Sequence, residues 1–378
     1  MKITMVTAGL AGGGAERSMS ILANAWVLSG KQVHVILSSF KEPLQSKSYL
    51  DRTIPITRVI GSRIARIWPH RMKTFGVLLA LRRAIRETRP DVVIALQESV
   101  AIDVLLAALG TGIPVIVAEH GDPGARRIGS SGVPSEHYVP GLRSNILETF
   151  RRCLYPGAAS VVCLTETAMS HFPASVRRKG RVIPNPVLPP PIPTEGPSRP
   201  RKHRIVYLGR LVPVKGLDRL LRAFALIAGD HPDWLLEIWG AGEEESRLKQ
   251  ISLNLELEDR VEFAGWSNTP HDVLRGADLF VMTSYTEGFP SALCEAMACG
   301  VPPICFDCPS GPRHIIRDGV DGLLVPNGDI GGLASAMDYL MDNESERRRL
   351  ASRAPEVLER FGVGKVLGMW EDLLEAVL

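Results

Sequence analysis

Residues 287 to 295 read Glu-Gly-Phe-Pro-Ser-Ala-Leu-Cys-Glu, two glutamates eight positions apart with a helix start between them. Pro290 and Ser291 suit that start, because a proline there loses no helical hydrogen bond and a serine hydroxyl can cap free amides. A helix N-terminus carries partial positive charge and unpaired N–H groups that attract phosphate, while Glu287 and Glu295 can accept hydrogen bonds from sugar hydroxyls. The stretch therefore suits a ligand with both groups. Taken alone, it equally fits a capped surface helix with two solvated carboxylates.

Further groups with chemical potential follow apolar runs. Gly209-Arg210-Leu-Val-Pro-Val-Lys215-Gly216 closes one such run, and two cations five apart can clamp a diphosphate and stabilise charge developing on it. They could also be solvated loop cations. His120 ends the run Val-Ile-Val-Ala-Glu-His, an address that favours function over the structural role usual for a lone histidine. Gly12-Gly13-Gly14 follows the first run and precedes a helical stretch containing Ala15, Glu16 and Arg17, so its backbone can approach a ligand closely. The Gly-x-Gly-x-x-Gly spacing with its acid is absent, as is Gly-x-x-x-x-Gly-Lys-Ser/Thr, which argues against a dehydrogenase and a P-loop enzyme.

The elements that must position these groups alternate strand and helix twice. Strand-like runs at 2 to 8, 33 to 39, 92 to 96, 115 to 120 and 160 to 165 are separated by helical patterns near 15 to 29, 71 to 88, 100 to 109 and 144 to 154. The pattern restarts with strands at 204 to 209, 234 to 239, 260 to 264, 278 to 283 and 301 to 306. It predicts two doubly wound parallel α/β domains, whose ligands bind at the carboxyl ends of the strands in a shared cleft. A proline-rich stretch divides them, giving an N-terminal domain at 1–185, a linker at 186–202, a C-terminal domain at 203–362 and a final helix at 363–378 packing back on the first domain.

The 378 residues, 45% of them hydrophobic, suffice for two cores. No apolar run is long enough to span a bilayer and the N-terminus starts with a strand rather than a cleavable leader, so a cytoplasmic protein is expected. Six cysteines sit mostly among apolar neighbours, as reduced thiols do; Cys305 and Cys308 form a Cys-x-x-Cys without a second pair or a flanking histidine. The net charge of +3 conceals an excess of twelve positive charges in residues 1 to 185. Arg63, Arg66, Arg71, Lys73, Arg82, Arg83, Arg86 and Arg89, with apolar residues interleaved and Glu87 the single acid, suit an anionic membrane surface or a lipid diphosphate; an ordinary surface helix is the alternative. No nucleic-acid-binding signature accompanies the charge.

Gly-Gly-Ala-Glu-Arg near the N-terminus, Glu119-His120, Gly-Arg-Leu-x-x-x-Lys-Gly, Gly240-Ala-Gly242 and the paired glutamates, in this order, resemble the motif set of glycosyltransferase family 4. The resemblance spans nearly the whole chain and implies a GT-B fold and retention of anomeric configuration. It implies that Arg210 and Lys215 bind the donor diphosphate, Glu287 the transferred sugar and Glu295 the ribose. Gly13, Gly209, Gly242, Phe289, Pro290 and Ser291 would complete the donor site, with phosphate contacts from backbone amides. His120 would touch or orient the donor sugar, and the Gly12 to Arg17 loop, with Gly14, Glu16 and Arg17, would face the acceptor. The segment Asp307-Cys-Pro-Ser-Gly-Pro-Arg-His-Ile-Ile resembles a variant of bacterial transferases that extend lipid-linked oligosaccharides with UDP-sugars, although His314 stands where glutamate is frequent. Arg260 and Trp266 are expected with Gly242 near the nucleobase.

The resulting expectation is a retaining transfer of a hexose or N-acetylhexosamine from a UDP-sugar to a polyprenyl-diphosphate-linked glycan. Arg82, Arg83 and Arg86 would hold the protein peripherally at the inner face of the cytoplasmic membrane. The chain contains no Asp-x-Asp, so neither a metal nor another cofactor is expected. The same fold also hosts nucleotide-sugar 2-epimerases and phosphorylases, and a soluble acceptor is a further alternative.

Overall fold

The computed structural model describes residues 1–10, 13–38, 50–59, 70–124, 142–192 and 203–378, so Gly12, Arg63 and Arg66 lie outside the described residues. The first unit comprises Met1–Pro123, the described residues from Leu142 to Pro186, and Val363–Leu378; the second runs from Val187 to Gly362.

In the first unit the elements are β1 (Lys2–Thr7), α1 (Gly14–Leu28), β2 (Gln32–Leu37), β3 (Ile56–Arg58), α2 (His70–Thr88), β4 (Val92–Leu96), α3 (Glu98–Ala108), β5 (Val115–Glu119), α4 (Leu142–Leu154), β6 (Ser160–Cys163), α5 (Glu166–Ser170), α6 (Ala174–Arg177) and β7 (Gly180–Val182). Seven parallel strands form one sheet in the order β3-β2-β1-β4-β5-β6-β7, with Ile3 flanked by Val33 and Val92. Both sheet faces are covered, so β1 from Ile3, β4 and β5 are buried continuously rather than at alternate residues, and β4 is apolar throughout.

The second unit holds β8 (His203–Leu208), α7 (Leu217–Ala225), β9 (Trp234–Trp239), α8 (Glu245–Asn254), β10 (Val261–Gly265), α9 (Pro270–Arg275), β11 (Leu279–Met282), α10 (Ser291–Ala298), β12 (Pro303–Asp307), α11 (Pro312–Ile315), β13 (Leu323–Pro326), α12 (Ile330–Asp342), α13 (Glu344–Arg353) and α14 (Val357–Phe361). Its six strands are parallel in the order β10-β9-β8-β11-β12-β13. The core is built from helices such as α7, whose Leu217, Leu220, Leu221 and Phe224 fall on one face and are fully withdrawn from water. Three strands have no counterpart in the sequence reading: β3, β7 and β13. All are three or four residues long and close a sheet edge, where Ile-Thr-Arg or Gly-Arg-Val carries little apolar signal and β13 can end in Pro326.

The last helix, α15 (Val363–Val377), belongs to the first unit. Val366, Trp370, Leu373 and Leu374 form its buried face, and the Trp370 indole meets Trp26 of α1 edge-on at 5.9 Å between ring centroids. Lys31 and Glu371 form an ion pair beside that contact.

Candidate active site

In both sheets the chain reverses its winding direction beside the first strand, between β1 and β4 and between β8 and β11. Helices leave on opposite faces there, and the loops after these strands diverge to leave a crevice. Arg210 and Lys215 follow β8, Glu287 follows β11 and His120 follows β5, so each stands at the carboxyl end of a strand of its own unit.

In the second unit the loop after β8 carries Gly209 to Gly216 and the loop after β11 carries Thr283 to Pro290. Three hydrogen bonds lace them together: the Thr283 hydroxyl donates to the Lys215 carbonyl at 3.1 Å, the Tyr285 amide to the Val214 carbonyl at 2.9 Å, and Lys215 Nζ to Glu287 Oε1 at 2.6 Å. Ser284 also donates to that carboxylate oxygen, at 2.6 Å. The expected division of labour, Lys215 on phosphate and Glu287 on sugar, thus begins from a mutual ion pair with both side chains mostly withdrawn from water. Arg210 is exposed and forms no ion pair among the described residues, which leaves its guanidinium available to an anion.

Backbone packing explains the glycines. A Cβ on Gly240 would lie 1.8 Å from the Gly209 carbonyl oxygen, and one on Gly242 would lie 2.1 Å from that of Leu211. Gly242 is therefore required where two loops meet backbone to backbone, a structural duty beside its expected ligand contact. Gly311, at φ 85°, packs against the Glu287 and Pro290 side chains and brings the loop after β12 onto the site. Nothing in the local sequence distinguishes that glycine from a turn residue.

Helix α10 opens differently from expectation. Pro290 is the residue before its first turn, no side chain caps it, and Ser291 is already helical, so its hydroxyl is not a cap. Pro290 has no N–H and adds no donor to a phosphate; it fixes the angle of entry. Phe289 is buried edge-on against Phe361 at 5.2 Å, which anchors the loop, and Glu295 is buried one turn inside the helix. Arg260 lies elsewhere. It precedes β10 and donates to the Ala228, His231 and Trp234 carbonyls, so it braces the N-terminal edge of the sheet, the opposite end from the site. Trp266 is 64% exposed.

In the first unit His120 follows β5. Its Nδ1 is buried without a partner, and burial, only partly opposed by a hydrogen bond with Asn185, pushes the imidazole down to about 4, so it is neutral at physiological pH. The preceding Glu119 is buried, accepts a hydrogen bond from Tyr155, and has its carboxyl raised by burial. Gly13 lies at the start of α1, but a Cβ there would be 2.5 Å from Glu16 Oε2. The positive end of α1 is thus already covered by a carboxylate, which disfavours the phosphate contact expected of Gly13. Gln97, not anticipated from the sequence, donates to Glu16 Oε1 at 3.2 Å from a backbone at φ 73° and ψ 147°. That conformation is nearly exclusive to glycine and costs about 1–3 kcal/mol, a strain typical of functional loops.

The basic helix α2 divides its arginines. Arg82 is turned inward and donates to the Ala107 and Leu109 carbonyls, neutralising the negative end of α3. Arg82 thus has a structural duty beside the membrane role expected of it. Arg83, paired with Glu87, and Arg86 remain exposed, and with Leu79, Arg82, Glu87 and Arg89 they line a surface hollow of about 590 Å³.

Residues 12–189 match the family described as Glycosyltransferase Family 4 and residues 192–357 that described as Glycosyl transferases group 1, so the two matches cover both halves. The chain belongs to this glycosyltransferase family. The glycosyltransferase is 38% identical over 223 residues to an exopolysaccharide phosphotransferase of Streptomyces coelicolor, an overlap of 58% of this chain but only 23% of that protein's length. It is 25% identical over 378 residues to a Campylobacter jejuni α-1,4-N-acetyl-D-galactosaminyltransferase named for a diNAcBac-PP-undecaprenol-linked acceptor, covering 100% and 99% of the two chains. Among solved structures, Anabaena HepE in complex with UDP and glucose superposes with a TM-score of 0.80 at 20% identity, covering 99% of each chain, and the lipopolysaccharide outer core galactosyltransferase WaaB with 0.74 at 22%, covering 100% of each. Those likenesses establish the GT-B fold.

All six cysteines are free thiols, and burial raises the Cys308 thiol to about 12 and Cys305 further, so this Cys-x-x-Cys consists of protonated, inert core residues. No helix among the described residues is long and apolar enough to cross a membrane.

Proposed function

We propose that this glycosyltransferase moves a hexose or N-acetylhexosamine from a UDP-sugar, with retention, to a polyprenyl-diphosphate-linked glycan in bacterial surface polysaccharide assembly. The observation that carries the reading is the laced pair of loops after β8 and β11, which gathers Arg210, Lys215, Glu287 and the uncapped start of α10 at one strand-end site. The names of the relatives support it, since one acts on an undecaprenyl-diphosphate-linked glycan and a structural neighbour binds UDP with glucose.

In this reading the leaving phosphate takes the proton of the attacking acceptor hydroxyl on the same face of the sugar. Arg210, Lys215 and the helix terminus bear the diphosphate charge, and Glu287 holds the sugar hydroxyls. Neutral His120 orients the transferred sugar, and the Glu16–Gln97 pair meets the acceptor. Charge stabilisation by these groups replaces a divalent cation. Among the described residues the one cluster with metal-ligand geometry, His231, Asp338 and Asp342, includes the loop before β9 and so lies at the wrong end of the sheet.

The experiment is a thermal-shift screen of nucleotide-sugars, followed by transfer to short polyprenyl-diphosphate glycans with and without chelator. A UDP-sugar should raise the melting temperature by mass action and be consumed in chelator. Preference for another nucleotide, epimerised donor without transfer, or loss of transfer rescued by magnesium would overturn the corresponding part. Exposed Arg83 and Arg86 supply the membrane contact, so changing both to Ser should release the protein from anionic vesicles; unchanged binding rejects that role.

A further inference from the structure

Arg219, in the first turn of α7, is 6% exposed and forms no ion pair among the described residues. One terminal nitrogen donates to the Thr283 carbonyl and the other to Asn327 Oδ1 at 3.1 Å, while the guanidinium stacks on Tyr285 at 3.6 Å and faces Phe306 at 4.7 Å. Nε is buried with no partner. Burial depresses its proton affinity more than the influence of Tyr285, Asp218 and Cys308 restores it. A buried cation without a carboxylate is destabilising, and this one sits at the positive end of its own helix, which adds to the cost. Arg219 thus carries a positive charge that no described carboxylate pairs with.

Its position suggests what does. Gly216 has φ 60°, and a Cβ there would lie 2.7 Å from Arg219 Nε and 2.5 Å from the Thr283 carbonyl oxygen. The guanidinium therefore lies directly behind the backbone that follows Lys215, and it grips the same Thr283 whose hydroxyl holds the Lys215 carbonyl. Because Lys215 is already paired with Glu287, the unpaired charge of Arg219 adds to what Arg210 and Lys215 bring to these strand ends. We infer that Arg219 is a positioning residue and buried counter-charge for the diphosphate of the nucleotide donor, acting through the Lys215–Gly216 loop without touching the ligand. This rests on the donor reading above.

The test is calorimetric titration of the full chain with UDP and, separately, with uridine. Arg219→Met keeps the packing between Tyr285 and Phe306 and removes the charge; it should weaken UDP about tenfold or more and change uridine less than twofold. Arg219→Lys should retain most of the UDP affinity. Arg219→Gln substitutes if the Met variant does not fold, with the same expected split. Parallel loss of UDP and uridine, or unchanged UDP binding, overturns the inference while leaving the donor reading intact. Failure of the wild type to prefer UDP over uridine sinks both.

Discussion

Replacing Glu287 with Gln should tighten the binding of UDP while nearly abolishing transfer. Lys215 Nζ and Ser284 Oγ both reach Glu287 Oε1 at 2.6 Å, and the Gln amide oxygen can accept both bonds, so the loop keeps its geometry. What disappears is one negative charge in a pocket where the glutamate side chain is 11% exposed and the lysine 20%. At an effective dielectric near 20, a unit charge about 6 Å from a diphosphate group repels it by roughly 3 kcal/mol. Solvent reaching the pocket reduces this, and a gain of about 1.4 kcal/mol, tenfold in affinity, is the working figure. Loss of the charged contact to the sugar should lower kcat by about 100-fold or more. Stability should fall by only about 1 kcal/mol, because no buried polar group is left unpaired, whereas Glu287→Ala strands both donors and costs about 2–3 kcal/mol. Calorimetry with UDP, transfer kinetics and thermal melts separate these effects. Weaker UDP binding in a Gln variant with an unchanged melt would show that Glu287 does not compete with the diphosphate for Lys215, and the argument would fail.

Two further outcomes follow from the first unit. Burial holds the His120 imidazole near 4 while the unfolded chain takes up the same proton near 6.5, so the stabilisation is complete above pH 6.5 and drains away as pH falls towards 4. Urea unfolding at pH 7.5 and 5.0 should show the wild type losing up to about 2 kcal/mol more than His120→Asn; equal losses would refute the assignment. Gln97→Gly relieves the backbone at φ 73° and should raise stability by about 1 kcal/mol net of the glycine's entropy, yet raise the acceptor KM by removing the bond to Glu16. A lower melting temperature would contradict the first half, and an unchanged acceptor KM the second.

The class of fold was readable because its signal is local. Apolar runs such as Ile3 to Val6 and Val93 to Leu96 are buried on both faces, and only a parallel sheet under helices treats a strand that way. The edge strands β3, β7 and β13 escaped because partial burial leaves no such run. Chain order also disclosed the strand-end addresses of His120, Arg210 and Lys215, since the residue after a parallel strand must lie at the carboxyl edge. By the same rule Arg260, just before β10, had to lie at the opposite edge, and its expected place near a nucleobase failed.

Long-range contacts decided the rest. That Lys215 meets Glu287, 72 positions away, that Arg82 caps α3 while Arg83 faces water, and that Gly242 gives way to foreign backbone and Gly311 to the Glu287 and Pro290 side chains are facts of packing between segments. Arg219 shows the limit most clearly. On a helical wheel it is one more cation on an amphipathic helix, and only the closure of the β8 and β11 loops over it withdraws its charge from water. Residue order alone tells which charged side chains stand at the carboxyl ends of strands, because residue type and strand order are local. Tertiary structure decided which of those charges are paired, buried or available, because solvent exclusion depends on every segment at once.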